Sequence, residues 1–176
     1  MLLDIFYDLP EFFQRLGQAT EADVPRILEI ISHRIEWLGK KGIDQWTGED
    51  NYRADYTPDY FAQHARMGEI FLAVCHGTTA ACITIVKSDT PRWTDDGTRA
   101  YYLHNLASDM RFPGAGRALL SFCGAKAVRD GMEALRLDSK KGNEDLSRYY
   151  ETLGFKATGW CDDDGYQGIL WEKRLG

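Results

Sequence analysis

Apolar side chains fall at Val24, Ile27, Leu28, Ile31, Ile35 and Leu38, the spacing of one face of a helix. Thr20 is placed to cap that helix, with Glu21 in its first turn and Asp23 three residues on. Gly39 to Gly42 should end it. A short strand is expected just before, around Arg15–Ala19, and residues 1–14 read as an N-terminal extension to a single domain over 15–176. Thr57-Pro58 marks a second, shorter helix, a cap followed by proline at the first helical position. Between the two helices, residues 43–59 are irregular, aromatic and acidic.

The period then shortens. Ile70–His76 and Ala80–Lys87 are β-rich runs joined by Gly77-Thr78-Thr79, which predicts a hairpin. A polar loop, Ser88–Arg99, precedes a further strand over Ala100–Ala107. Ala118, Leu119, Phe122, Cys123 and Val128 predict the buried face of a helix that stops at Gly131. Ala134–Asp138 is a brief strand, and Asn143-Glu144-Asp145 caps a helix through Leu153, closed by Gly154. Phe155–Cys161 and Tyr166–Glu172, joined around Asp163-Asp164-Gly165, complete a last hairpin. The order β-α-α-β-β-β-α-β-α-β-β is that of an α+β fold with a mixed sheet.

Composition narrows the function. The 176 residues are 44% apolar and 27% charged, as in a globular domain able to bury its own core. With 21 basic and 27 acidic side chains the formal charge is −6, which argues against a nucleic-acid partner. No run of 18 uncharged apolar residues is present, so no membrane partner is expected. The opening MLLDIFYDLPEFF has no basic residue ahead of it and is interrupted by Asp4, Asp8 and Glu11, so it reads as a poor signal peptide and a cytoplasmic location is expected. Cys75, Cys82, Cys123 and Cys161 lack metal-ligand spacing and read as reduced thiols; His33, His64, His76 and His104 are scattered, and no metal is expected.

The sharpest chemical signal is Arg111-Phe112-Pro113-Gly114-Ala115-Gly116-Arg117, set between a strand and a helix. Glycines there let backbone approach a ligand, and a helix start offers unpaired N–H groups and the positive end of its dipole, a site for phosphate or pyrophosphate. Arg111 and Arg117 flank it with positive charge. A dinucleotide fold is the rival reading, but the third glycine position holds Leu119 and too little chain follows Asp138 for the remaining strand–helix units. A phosphate loop of the Gly-Lys-Ser/Thr type does not follow.

Residues 111–116 match the Arg/Gln-x-x-Gly-x-Gly/Ala loop of the GNAT superfamily of acyl-CoA-dependent N-acetyltransferases, and the chain resembles that family at a second place. Asn143 lies seven residues before Tyr150, and Tyr150 four before Gly154-Phe155, as in its Asn…Tyr-x-x-x-Gly-Phe pattern. Tyr102-Leu103-His104-Asn105-Leu106-Ala107 looks like its central strand. The resemblance covers about residues 15–175. It implies a mixed, mostly antiparallel sheet splayed at its central strands and flanked by about four helices, with acetyl-CoA as co-substrate. The resemblance puts the pantetheine arm against Leu106, Ala107 and Ser108, and the pyrophosphate over Arg111, Phe112, Gly114, Ala115, Gly116 and Arg117. It also puts Asn143 on the arm, its side-chain oxygen capping the helix and its amide left free.

Acyl transfer to an amine expels a thiolate, which a phenol within hydrogen-bond distance can protonate; Tyr150 is the residue for that, with Tyr149 turned about 100° away. An ammonium is no nucleophile, so a base is needed, and His104 is the first candidate, ahead of Glu36 and Asp138. Trp37, Asp44, Trp46, Glu49, Asp50, Tyr52, Asp55 and Tyr56 interleave aromatics with carboxylates and suit a cationic acceptor, a small molecule or a peptide amine; Asp162–Asp164 can add to that field. Trp93 and Trp160 either line a pocket or pack a loop. Pro113 removes one N–H from the loop, and Asp109 is expected to point away from the phosphates. The expectation is an N-acetyltransferase working by direct attack in a ternary complex, the alternative a non-catalytic CoA-binding or regulatory module. Strand exchange or sheet pairing leaves room for a homodimer.

Overall fold

In a computed structural model, residues 13–47, 52–163 and 165–176 are described here. They form seven strands in one sheet and five α-helices. The strands are β1 (Phe13–Gln18), β2 (Ile70–Cys75), β3 (Thr78–Val86), β4 (Ala100–Ser108), β5 (Ala134–Lys140), β6 (Lys156–Asp163) and β7 (Tyr166–Arg174). The helices are α1 (Val24–Lys40), α2 (Tyr52–Asp55), α3 (Pro58–Arg66), α4 (Ala115–Arg129) and α5 (Glu144–Thr152). The sheet runs β1-β2-β3-β4-β5-β7-β6, and every pairing is antiparallel except β4 with β5.

Alternation along the strands divides the core in two. On β2 and β3, Ile70, Leu72 and Cys82 meet Ile27, Ile31 and Phe61 from α1 and α3, while Phe71, Ala73 and Ile83 meet Leu119 and Cys123 from α4. α1 buries Val24, Ile27, Ile30, Ile31, Ile35 and Leu38, and Asp23 accepts from the Thr20 N–H at 2.8 Å. Thr57 caps α3 by accepting from the Tyr60 N–H.

Several boundaries differ from the expectations. β1 begins at Phe13, within the stretch assigned to an extension, and residues 1–12 lie outside the described residues. β2 and β3 are joined by His76 and Gly77 alone, at φ 48° and 73°. Two successive positive φ values match the right-handed twist of a tight hairpin, so Thr78 and Thr79 extend the strand. Val128 is 58% exposed: five residues beyond Cys123 it has turned off the buried face, and Ala127 fills that place. The irregular stretch before Thr57 contains α2, and β5 continues to Lys140. Cys75, Cys82 and Cys123 are buried free thiols and Cys161 is half-buried.

Candidate active site

β4 and β5 pair only from Ala100↔Ala134 to Leu103↔Leu137, although both strands continue. The parting begins where β4 is itself irregular. Between the pairs Cys82↔Ala107 and Thr84↔His104, β4 spends one residue more than β3, and Asn105 stands at φ 56° inside that bulge. Its side chain is buried and fixed: Tyr52 Oη donates to Asn105 Oδ1 at 2.8 Å, and Asn105 Nδ2 donates to Tyr60 Oη and Thr84 Oγ1, each at 3.4 Å. Asparagine tolerates the left-handed region better than most residues. Sequence reading passed over Asn105, yet an asparagine inside a strand of β-formers is the signal that marks it.

A cavity of about 510 Å³ fills the gap that β4 and β5 leave. Gly114 and Gly116 border it at one end. Gly114 caps α4 at φ 86°, and a Cβ there would meet nothing within 4 Å, so the glycine serves backbone conformation and leaves open space outside. At Gly116 a Cβ would lie 3.8 Å from Ser108 Oγ and 3.9 Å from Leu106 Cδ1, which seats the helix start directly on the end of β4. The Ala115 N–H donates to Phe112 O at 3.3 Å within the turn, and the N–H groups that follow it at the helix start have no carbonyl one turn earlier in the helix to bond. Pro113 precedes the cap and lies in the turn.

Of the residues assigned to a cofactor, Leu106, Ser108, Gly114, Gly116, Arg117 and Asn143 line the cavity. Ala107 and Ala115 turn their side chains into the two cores, and Phe112 packs on the α4 side. Arg111 is bound elsewhere: its Nη2 lies 2.6 Å from Asp109, which also pairs with Arg26. Hydrogen bonds from Arg111, then from Arg26, hold the Asp109 carboxyl well below the usual carboxylate range. Asp109 does not line the cavity, and its charge is compensated where it stands. Arg34, which sequence reading missed, does line it, donating from Nη2 to Ser108 O at 2.7 Å and to Ser108 Oγ at 3.1 Å.

Asn143 caps α5, accepting from the Leu146 N–H at 3.2 Å. Its amide is not free as expected: Nδ2 donates to Gln45 Oε1 at 2.8 Å and ties α5 to the connection after α1. Tyr150 is buried between Phe155 and Trp171 and faces the cavity, and its hydroxyl makes no hydrogen bond among the described residues. Burial pushes that phenol up, so it keeps its proton. Tyr149 lines the cavity as well, because the space wraps around the start and inner face of α5.

At the other end stands His104, and it is not isolated. One nitrogen of His104 and one oxygen each from Asp89 and Asp138 lie within 4.8 Å of one another. Tyr166 Oη donates to Asp138 Oδ2 at 2.6 Å, and Arg92 Nη1 reaches Asp138 Oδ1 at 3.3 Å. Burial lowers the His104 imidazolium below its ordinary value, opposed by Asp138 and Asp89. Among the other two base candidates, Asp138 lines the cavity and Glu36 is exposed away from it. Asp89 and Arg92 come from the loop between β3 and β4, which sequence reading treated as a spacer. Trp93 holds that loop down, buried against Tyr102 at 6.0 Å with the Arg136 guanidinium 4.7 Å over its ring.

The wall on the α1 side is aromatic: Trp37, Trp46, Tyr52 and Tyr56 line it together with Asp55. Trp46, Tyr52 and Tyr56 stack in sequence at centroid separations of 4.7 and 4.6 Å. Asp44 does not take part; it is exposed and pairs with Lys140 at 3.6 Å. Trp160 is 75% exposed beside Lys141 and Asp162 is exposed, whereas Asp163 pairs with Arg92 at 3.4 Å. Glu49, Asp50 and Asp164 lie outside the described residues.

A mixed sheet parted between β4 and β5, with a glycine turn at positive φ opening a helix over the gap, is also the architecture of GNAT-family acetyltransferases, and similarity in fold and sequence to such enzymes makes this chain an acyltransferase. No family model matches it. It is 26% identical over 185 residues to the uncharacterized N-acetyltransferase YesJ of Bacillus subtilis strain 168, covering 99% of this chain and 93% of that protein. A GNAT-family acetyltransferase from Listeria monocytogenes superposes with a TM-score of 0.75 at 25% identity, over 92% of this chain and 94% of that one. The PaiA N-acetyltransferase of Thermoplasma acidophilum, solved with coenzyme A, has the same fold at a TM-score of 0.70 and 16% identity, over 91% and 98% of the two chains.

Proposed function

We propose that the chain transfers acetyl from acetyl-CoA to a primary amine by direct attack in a ternary complex. One observation carries this reading: a single cavity joins the helix-start turn at Gly114–Arg117 to Tyr150 and His104 through the gap between β4 and β5. The coenzyme A bound to the Thermoplasma relative supports the choice of donor.

In this reading the diphosphate lies on the amides of the Arg111–Arg117 turn, with Arg117 supplying charge. Arg111, spent on Asp109, shapes the loop. The pantetheine arm runs along Leu106–Ser108, whose β5-facing backbone groups the bulge leaves unclaimed by the neighbouring strand, and passes Asn143. An N–H of that stretch polarises the thioester carbonyl and holds the oxyanion. The acceptor enters past Trp37, Trp46, Tyr52 and Tyr56, whose ring faces suit a cation. His104 removes a proton from the ammonium, and the neutral nitrogen attacks the carbonyl carbon. The C–S bond then breaks, Tyr150 protonates the departing thiolate, and the second proton shed by the acylated nitrogen restores the Tyr150 phenol. Amide and free CoA thiol leave, with one net proton passing to solvent.

A library of primary amines, followed by free thiol release, tests this: sustained release with at least one amine is expected. Tight acetyl-CoA binding with no transfer to any amine would overturn it in favour of a binding module.

A further inference from the structure

The loop between β3 and β4 brings a carboxylate that the mechanism above does not use. Asp89 and His104 side chains are each only 10% exposed, and Asp89 Oδ2 lies 3.5 Å from His104 Nε2. That oxygen is buried and makes no hydrogen bond among the described residues, and the imidazole is the cationic partner within ion-pair distance of it. His104 lines the cavity and Asp89 does not, which sets the carboxylate behind the ring as seen from the substrate space. The loop is anchored for this: the Trp93 N–H donates to Asp89 O at 2.8 Å, and Trp93 itself is buried.

We propose that Asp89 is a positioning residue that holds His104 in the tautomer with hydrogen on Nε2, leaving Nδ1 to take the proton from a cationic amine acceptor. The proposal rests on the reading of this cavity as an acetyl-transfer site. A neutral imidazole has one donating and one accepting nitrogen, and a carboxylate facing Nε2 selects the donor there. When Nδ1 receives the ammonium proton, the new imidazolium carries its charge against Asp89, and the neutral amine is released for attack.

The other groups around the ring fit this division. Asp138, on β5, faces the cavity but is engaged by Tyr166 Oη and Arg92 Nη1, so its charge is shared and it serves as a fixed counter-charge for the incoming cation. Arg92, from the same loop as Asp89, opposes protonation of His104, as does His64 on α3, itself bonded to Glu69 at 2.6 Å. Asp163 on β6 draws on Arg92 at 3.4 Å. Tyr56 and Tyr166 keep their protons, because burial pushes both phenols up.

Nitrogen NMR of the histidine-labelled wild-type protein reads the tautomer without any substrate: neutral His104 is expected with hydrogen on Nε2, and hydrogen on Nδ1 overturns the proposal. Asp89→Asn is expected to lower kcat/KM about 10²-fold at neutral pH and to move the acid limb of its pH profile to lower pH, because the carboxylate that favours imidazolium is gone. Acetyl-CoA affinity by calorimetry should stay at the wild-type value, and Asp89→Glu should recover part of the rate. An Asp89→Asn profile superposable on wild type defeats the proposal while acetyl transfer stands. A wild type that transfers to no amine defeats the acetyl-transfer reading instead, and the tautomer still decides the Asp89–His104 pair.

Discussion

A non-glycine residue at φ 56° inside a strand gives up about 1 kcal/mol of backbone energy, and Asn105 holds that conformation through bonds to Tyr52, Tyr60 and Thr84. Asn105→Ala keeps the strain and loses the bonds, so urea unfolding should report a loss of about 2 to 4 kcal/mol. Asn105→Gly loses the same bonds without the strain and should cost less. Equal losses would show that the backbone conformation is not what the asparagine bears. Tyr150→Phe removes one oxygen from a wall that otherwise keeps its shape. Turnover should fall about 10²-fold with the KM for acetyl-CoA little changed. Unchanged turnover would remove Tyr150 from proton transfer.

At the scale of elements, the turn before α4 is where backbone conformation and ligand space coincide. Gly114 combines φ 86° with open space around its missing Cβ. Gly114→Ala should cost about 1 kcal/mol in stability, since L-residues resist that conformation, and Gly114→Trp should in addition weaken acetyl-CoA binding by filling the opening. Calorimetric affinity of the Trp variant equal to wild type would place the diphosphate elsewhere. Helices and strands with a clear period were legible in the sequence, because burial of one face dictates their pattern: α1, α4 and the β2–β3 hairpin stand where the apolar spacing put them. What escaped was held by single contacts between distant segments. The bulge at Asn105 depends on Tyr52, fifty-three residues away, the delivery of Asp89 and Arg92 depends on Trp93 docking against Tyr102, and the Asn143 amide finds Gln45 only through the fold. Charge was also misjudged in place: Arg111 flanks the turn in sequence but is spent on Asp109 in space.

Across the whole molecule, carboxylates bound to cations set the acid limit of stability. Lys126 and then Tyr101 hold Asp130 down to about 2, and Asp109 beside Arg111 and Arg26 lies lower still. Both are depressed in the folded state against about 3.9 in the unfolded chain. Their contribution is therefore complete above about pH 4 to 5 and is lost as pH falls through about 2. The urea midpoint should hold level above pH 5 and drop between about pH 4 and 2; a midpoint that rises in that window would reverse the sign. No helix among the described residues is long and apolar enough to cross a membrane. Fold class and the turn over 111–117 were readable because both follow from local spacing, whereas the His104 end of the cavity draws on three separate segments and shows no pattern in any of them.

A crystal structure of the protein with coenzyme A measures directly where the co-substrate lies. The diphosphate is predicted on the amides of Gly114 to Arg117, the arm between β4 and β5, and the thiol within hydrogen-bond reach of Tyr150. Coenzyme A lodged outside that gap, or a thiol turned away from Tyr150 and His104, would contradict it.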